Sequence, residues 1–70
     1  MIRTMYRLEI DTGHGGYGFD CEYDELIRNV LMEYGKREAA RVKTWLRLAK
    51  ENDQYESPDG RMIITNIGEF

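Results

Sequence analysis

The stretch IRTMYRLEID, residues 2–11, alternates between apolar and polar side chains along its length. One side of the alternation takes Ile2, Thr4, Tyr6, Leu8 and Ile10, and the other takes Arg3, Arg7, Glu9 and Asp11. Met5 breaks the pattern. Because successive side chains of a β-strand point to opposite faces, this stretch predicts a strand with one buried face.

A second strand is indicated just downstream. Residues 12–16, TGHGG, are rich in glycine and predict a turn, because glycine accepts backbone conformations that other residues avoid. Tyr17, Phe19 and Cys21 then alternate with more polar or smaller neighbours. The two alternating stretches and the turn between them predict a β-hairpin.

The hydrophobic spacing changes to that of a helix at about residue 24. The apolar positions of the first helical segment are Tyr23, Leu26, Ile27, Val30, Leu31 and Tyr34. Those of the second are Ala39, Val42, Leu46 and Ala49, with Trp45 beside them. In one continuous helix the two stripes would be offset by about a quarter turn. The pattern therefore predicts two helices, residues 24–34 and 36–51, separated at Gly35.

The last part of the chain predicts a second hairpin. Residues 57–60, SPDG, form a strong turn signal, because proline presets φ and glycine accepts positive φ. This turn joins a short strand at 53–56 to a longer one at 61–67, which is apolar on both faces and is expected to be central or covered. We predict one α+β domain, residues 1–70, with a small antiparallel sheet in β-β-α-α-β-β order and two helices on one face.

Composition excludes several classes of protein. The single cysteine, Cys21, rules out an internal disulfide and a cysteine-based zinc site. No apolar run approaches the roughly 18 residues that span a bilayer. We therefore expect a cytoplasmic protein with no membrane association, no cofactor and no metal site.

Two short motifs resemble those of enzymes. Residues 13–18 fit the spacing G-x-G-x-x-G, but a dinucleotide site needs a helix to open at the last glycine, whereas strand alternation continues here. Asp11-Thr12-Gly13 matches the triplet of dimeric aspartic proteases, in which two carboxylates share a proton. Those subunits are almost wholly β, and the middle of this chain is helical. A glycine-rich hairpin turn is the favoured interpretation of both motifs.

Two other groups of residues also have structural interpretations. Seven residues of strand separate His14 from Cys21 by about 23 Å, too far for a nucleophile and its base. The acids of residues 20–25 resemble the start of a calcium loop, but Glu25 and Leu31 stand where that loop needs glycine and glutamate. We expect these acids to stabilise the start of the first helix.

Charge is concentrated in the second helix. Residues 36–50 contain six lysines and arginines against Glu38, a net charge of +5, whereas the rest of the chain has four against twelve acids, a net charge of −8. The six cations are Lys36, Arg37, Arg41, Lys43, Arg47 and Lys50. A basic helix of this kind is typical of contacts with acidic proteins or with phosphates.

The sequence favours a small non-catalytic binding protein, a regulator or inhibitor that acts by protein–protein interaction, of the accessory type common in phages and mobile elements. It is a candidate homodimer. Its expected contacts with an acidic partner are Lys43, Arg47 and Lys50. The His14 loop and the acidic edge from Asp20 to Glu25 are the other candidate surfaces.

The alternative is a nucleic-acid-binding protein in which the basic helix lies on phosphates. The first helix, the break at Gly35, the basic helix and the hairpin that follows come in an order that resembles a winged helix-turn-helix. Its candidate phosphate contacts are Lys36, Arg41, Lys43, Arg47 and Lys50. Acids interleaved with Lys43 and Arg47 would exclude this alternative. An enzyme would need a second chain to bring Asp11, His14 or Glu22 together.

Overall fold

Six elements follow one another in a computed structural model of the chain, which describes residues 3–70. They are β1 (Thr4–Ile10), β2 (Tyr17–Cys21), α1 (Tyr23–Tyr34), α2 (Lys36–Leu48), β3 (Gln54–Glu56) and β4 (Met62–Glu69). This order confirms the predicted β-β-α-α-β-β arrangement. Ile2, which was assigned to the buried side of the first strand, lies outside the described residues.

The four strands form one antiparallel sheet in the order β2-β1-β4-β3. Each hairpin supplies one central and one edge strand, and the pairing of β1 with β4 joins the hairpins. Leu8 of β1 lies between Phe19 of β2 and Ile64 of β4. β4 contains one extra residue opposite the step from Met5 to Tyr6. The predicted central position of the last strand is confirmed.

One face of the sheet and one side of each helix form the core. Tyr6, Leu8 and Ile10 of β1 are buried, whereas Arg7 and Glu9 between them are exposed. The other buried apolar residues of this cluster are Cys21, Leu26, Ile27, Val30, Ala39, Val42, Met62 and Ile64. Both helices therefore cover the same face of the sheet, as predicted. None of the helices within residues 3–70 is long and apolar enough to cross a membrane.

A single residue, Gly35, separates the helices. Its φ of +94° lies in the region that favours glycine. Its N–H bonds to the Leu31 carbonyl, which ends α1, and its own carbonyl accepts from Ala39, which begins α2. The Tyr34 hydroxyl lies 3.4 Å from Asp59 in the β3–β4 turn, while the Ala49 carbonyl accepts from Asn66 near the opposite end of β4. The two helices therefore run in opposite directions along the strands.

The second helix is shorter than predicted. It ends at Leu48 rather than at residue 51, and Ala49 is already extended. Asp53 holds the chain in this turn, because its Oδ2 accepts from the Lys50 N–H at 2.8 Å and its own N–H donates to the Lys50 carbonyl at 2.9 Å. The turn includes Asn52 with a φ of 74°, a conformation that asparagine tolerates.

A buried carboxylate attaches α2 to the sheet. Glu38 is only 7% exposed, and its Oε2 accepts from the Tyr55 hydroxyl of β3 at 2.7 Å. The Tyr55 ring also packs against the Trp45 ring of α2, with 5.7 Å between the ring centroids. Burial, together with the hydrogen bond to Glu38, raises the pKa of Tyr55 to about 12. This contact fixes α2 above the β3 edge.

Replacing Tyr55 by phenylalanine removes the hydroxyl that donates to the buried Glu38. We expect Tyr55→Phe to lower the free energy of unfolding at pH 7 by about 1–3 kcal/mol in urea titrations. The folded pKa of about 12 lies above the ordinary 10.0. The contribution is therefore complete below pH 10 and is lost as the pH rises towards 12. The difference between the two proteins should shrink over that range.

Tyr34→Phe is the matched control, because the Tyr34 hydroxyl reaches only the exposed Asp59. We expect that variant to lose less than about 0.5 kcal/mol. Equal losses in the two variants would contradict the role given to Tyr55.

The β1–β2 turn depends on one glycine more than on its neighbours. Gly15 and Gly16 have φ values of +125° and +117°, both unfavourable for other residues. A Cβ on Gly16 would lie 2.6 Å from the Ile10 carbonyl oxygen, whereas a Cβ on Gly15 would have nothing within 4 Å. The close approach of the backbone at Gly16 leaves no room for a side chain.

Alanine at these two positions separates backbone strain from the steric clash. Both variants carry the unfavourable φ, but Gly16→Ala also has the clash with Ile10. We expect Gly16→Ala to lose about 1–3 kcal/mol more stability than Gly15→Ala, measured by thermal and urea unfolding. A smaller loss in Gly16→Ala would show that the turn rearranges freely.

Candidate functional site

The outward side of α2 carries the strongest concentration of charge in the structure. Eight residues of this helix are exposed, and we call them the basic face: Lys36, Arg37, Ala40, Arg41, Lys43, Thr44, Arg47 and Leu48. Five of the eight are lysine or arginine and none is acidic. The helix buries the opposite side because Ala39 and Val42 enter the core.

Most of the cations of the basic face have no acidic partner. Within residues 3–70, no carboxylate oxygen lies within 4.0 Å of Lys36, Arg37, Lys43 or Arg47. Arg41 is the exception, since its Nη1 lies 3.7 Å from Oε1 of Glu38, one turn away. Asp59 shares a shallow recess with Arg37 and Arg41. The Lys36, Lys43 and Arg47 side of the face is therefore the least neutralised.

The structure separates two of the predicted site residues from this face. Lys50 lies beyond the end of α2 because Asp53 turns the chain there, so it is exposed but is not part of the helix to which it was assigned. His14 is exposed in the β1–β2 turn, on a different element. Lys36, Arg41, Lys43 and Arg47 all lie at exposed positions of α2.

Acidic residues collect elsewhere. Four carboxylates line a recess at the start of α1, which they share with Met5 and Arg28. They are Asp20, Glu22, Asp24 and Glu25. Asp24 and Glu25 occupy the first turn of α1, where negative charge is favourable, as the sequence predicted. No acid is interleaved with Lys43 and Arg47 on α2.

The motifs that resembled enzyme sites have structural roles. Gly18 lies inside β2 and no helix opens at it, so residues 13–16 belong to the predicted hairpin turn while Tyr17 and Gly18 are already part of the strand. The Asp11 Oδ1 accepts from the Gly13 N–H at 2.9 Å and stabilises that turn. Asp11 and Glu22 lie at opposite ends of β2. Within residues 3–70, no group of three or more histidine, cysteine or acidic side chains could hold a metal ion.

The helix order differs from a winged helix-turn-helix in one respect. A wing is a hairpin that extends from the domain, whereas β4 is a central strand paired with both β1 and β3. The β3–β4 hairpin is therefore part of the sheet and does not project as a wing. The basic face has to be judged on its own residues.

Met32 and Leu48, two strongly exposed apolar residues, do not lie in one patch. Met32 is 75% exposed near the end of α1, and Leu48 is 81% exposed at the end of α2. Because the helices run in opposite directions, these residues lie at opposite ends of the helical layer. Met5 is half-buried in the recess at the start of α1.

Sequence reasoning missed the pair that positions the site. Glu38 was counted as the single acid of a basic helix, but it is buried beneath it and bonded to Tyr55. Its place on a helical wheel, beside Trp45 on the buried side, was the available signal. Tyr55 itself gave no such signal, because nothing in the sequence links it to α2.

No protein-family model, curated protein or solved structure matches the chain. The residues of the molecule itself are therefore the basis for assigning a function.

Cys21 offers a test of the core beneath the start of α1. Burial raises the pKa of its thiol from 9.0 to about 11, with smaller contributions from Glu25 and Asp20. We expect the native protein at pH 8 to react with a thiol reagent at least about 100-fold more slowly than the urea-unfolded chain. Rapid labelling of the native protein would contradict the burial of Cys21.

Proposed function

We propose that this is a non-catalytic binding protein and that the basic face of α2 binds the phosphates of a nucleic acid. The observation that carries the proposal is the set of exposed cations without carboxylate partners, led by Lys36, Lys43 and Arg47. Cations that are not already paired release the counterions of a polyanion when they bind it, which favours binding at low salt.

The small side chains of the basic face also support a phosphate ligand. A protein interface has a core of aromatic and other apolar residues and is depleted in lysine. The basic face has two lysines and three arginines around Ala40 and Thr44, and its one large apolar residue is Leu48 at the end. Long cationic side chains on either side of small residues can reach the phosphates of a nucleic-acid backbone.

A protein with an acidic surface is the second candidate for the same face. The exposure of Leu48 favours it, because burying an exposed apolar side chain against a partner is favourable. In this case the protein would be a regulator or inhibitor, and Lys43 and Arg47 would pair with the partner's carboxylates. A cytoplasmic location, where Cys21 would stay reduced, fits both candidates.

Fluorescence anisotropy of a labelled mixed-sequence DNA duplex tests the proposal. We expect binding at low salt with a log–log salt slope that reaches about −4 to −5 if all five cations contribute. Lys43→Glu/Arg47→Glu should abolish binding, because two unpaired cations become acids. Poly-glutamate of equal charge, added as a competitor, represents an acidic protein.

Arg47→Glu and Arg28→Glu form the matched pair. Both replace an exposed helical arginine and change the net charge equally, but Arg28 lies in the recess among Asp20, Glu22 and Glu25. We expect only Arg47→Glu to weaken binding strongly. Absence of duplex binding by the wild type at low salt would overturn the proposal. Competition by poly-glutamate as effective as that by DNA would favour the acidic protein.

A further inference from the structure

Angular positions on α2 divide the cations of the basic face into two rows. At about 100° per residue, Lys36, Lys43 and Arg47 fall within about 40° of one another, while Arg37 and Arg41 lie about 120° away from their centre. The strip between the rows is formed by Ala40 and Thr44, both exposed. The outward side of α2 thus carries short side chains along its middle and long cationic side chains on either side of them.

The side chains of the Ala40–Thr44 strip are short, so a ligand can come close to the helix there. Ala40 ends at Cβ, and the Thr44 hydroxyl donates to the Ala40 carbonyl at 3.1 Å within the helix. Thr44 therefore presents a methyl group and no free donor. Alanine and the threonine methyl are side chains that contact the edges of bases, above all the methyl group of thymine.

Resting on the proposed function, we propose that α2 enters the major groove of a B-form DNA duplex. Its Ala40–Thr44 strip faces the bases, and the Lys36/Lys43/Arg47 row and the Arg37/Arg41 row contact the phosphates of the two opposite strands. A single strand has one backbone and can engage one row at a time. The major groove of B-DNA is about 12 Å wide and admits an α-helix, with a backbone on each side of it.

The two rows contribute unequally. Lys36, Lys43 and Arg47 have no carboxylate within 4.0 Å among residues 3–70, whereas Arg41 lies 3.7 Å from Glu38 and Asp59 shares a recess with Arg37. The first row therefore holds its phosphates more strongly. The second row orients the helix in the groove, and Glu38 and Asp59 partly neutralise its positive charge.

Three ligands of one sequence test the proposal: a DNA duplex, the corresponding single-stranded DNA and the corresponding double-stranded RNA. We expect the DNA duplex to bind at least about 10-fold more tightly than either of the others, because the major groove of A-form RNA is too narrow for a helix. Equal binding of duplex and single-stranded DNA would overturn groove insertion and leave the proposed function standing. No binding to any ligand at low salt would overturn both.

A bulky residue in the strip provides the sharper test. Ala40→Phe should weaken duplex binding at least about 10-fold and change single-strand binding less than about 2-fold, since it blocks the groove but leaves every cation in place. Thr44→Phe repeats the test at the other strip position if Ala40→Phe folds poorly. Met32→Phe, at an exposed position of α1, is the control that should change neither duplex nor single-strand binding. Unchanged duplex binding in both strip variants would overturn the proposal.

Discussion

The pairing of β1 with β4 is the contact on which the rest of the structure depends. It brings together two hairpins from the two ends of the chain, so that Leu8 lies opposite Ile64. Closing so long a loop costs conformational entropy, which the buried apolar face of these strands offsets. Once the sheet is formed, the chain leaves it at one edge, β2, and re-enters at the other edge, β3. The two helices between these edges must therefore cross the full width of the sheet.

That crossing determines where α2 lies and which side of it faces outward. α1 packs on β1, and α2 continues across to β3, where Glu38 meets Tyr55. A buried carboxylate is costly without partners, so Glu38 tolerates this position only because the Tyr55 hydroxyl and Arg41 accompany it. Ala39 and Val42 fill the space towards the core. The cations of α2 are left on the opposite side, away from the sheet.

Much of the fold follows from local patterns. The alternation of residues 4–10, the break at Gly35 and the turn at 57–60 each depend on neighbours within a few positions, and each was predictable. The end of α2 was not, because it depends on Asp53 capturing the Lys50 N–H in a loop. The burial of Glu38 was not, because Tyr55 comes from a strand that the sequence does not connect to α2. Likewise a basic helix was predictable as the candidate site, but the position of Lys50 outside that helix was not.

The charge of the whole chain is a poor guide to what α2 can bind. At about 0.1 M salt, charges separated by more than about 10 Å are largely screened, so the net charge of the chain matters less than the charges near the ligand. The carboxylates at the start of α1 lie on a neighbouring helix, and packed helix axes are about 8–10 Å apart. They therefore act on a polyanion bound to α2 from about one screening length away, whereas the unpaired Lys36, Lys43 and Arg47 contact it directly. On the proposed function, the carboxylates at the start of α1 oppose binding at that end of the helical layer, and the unpaired cations favour it on α2.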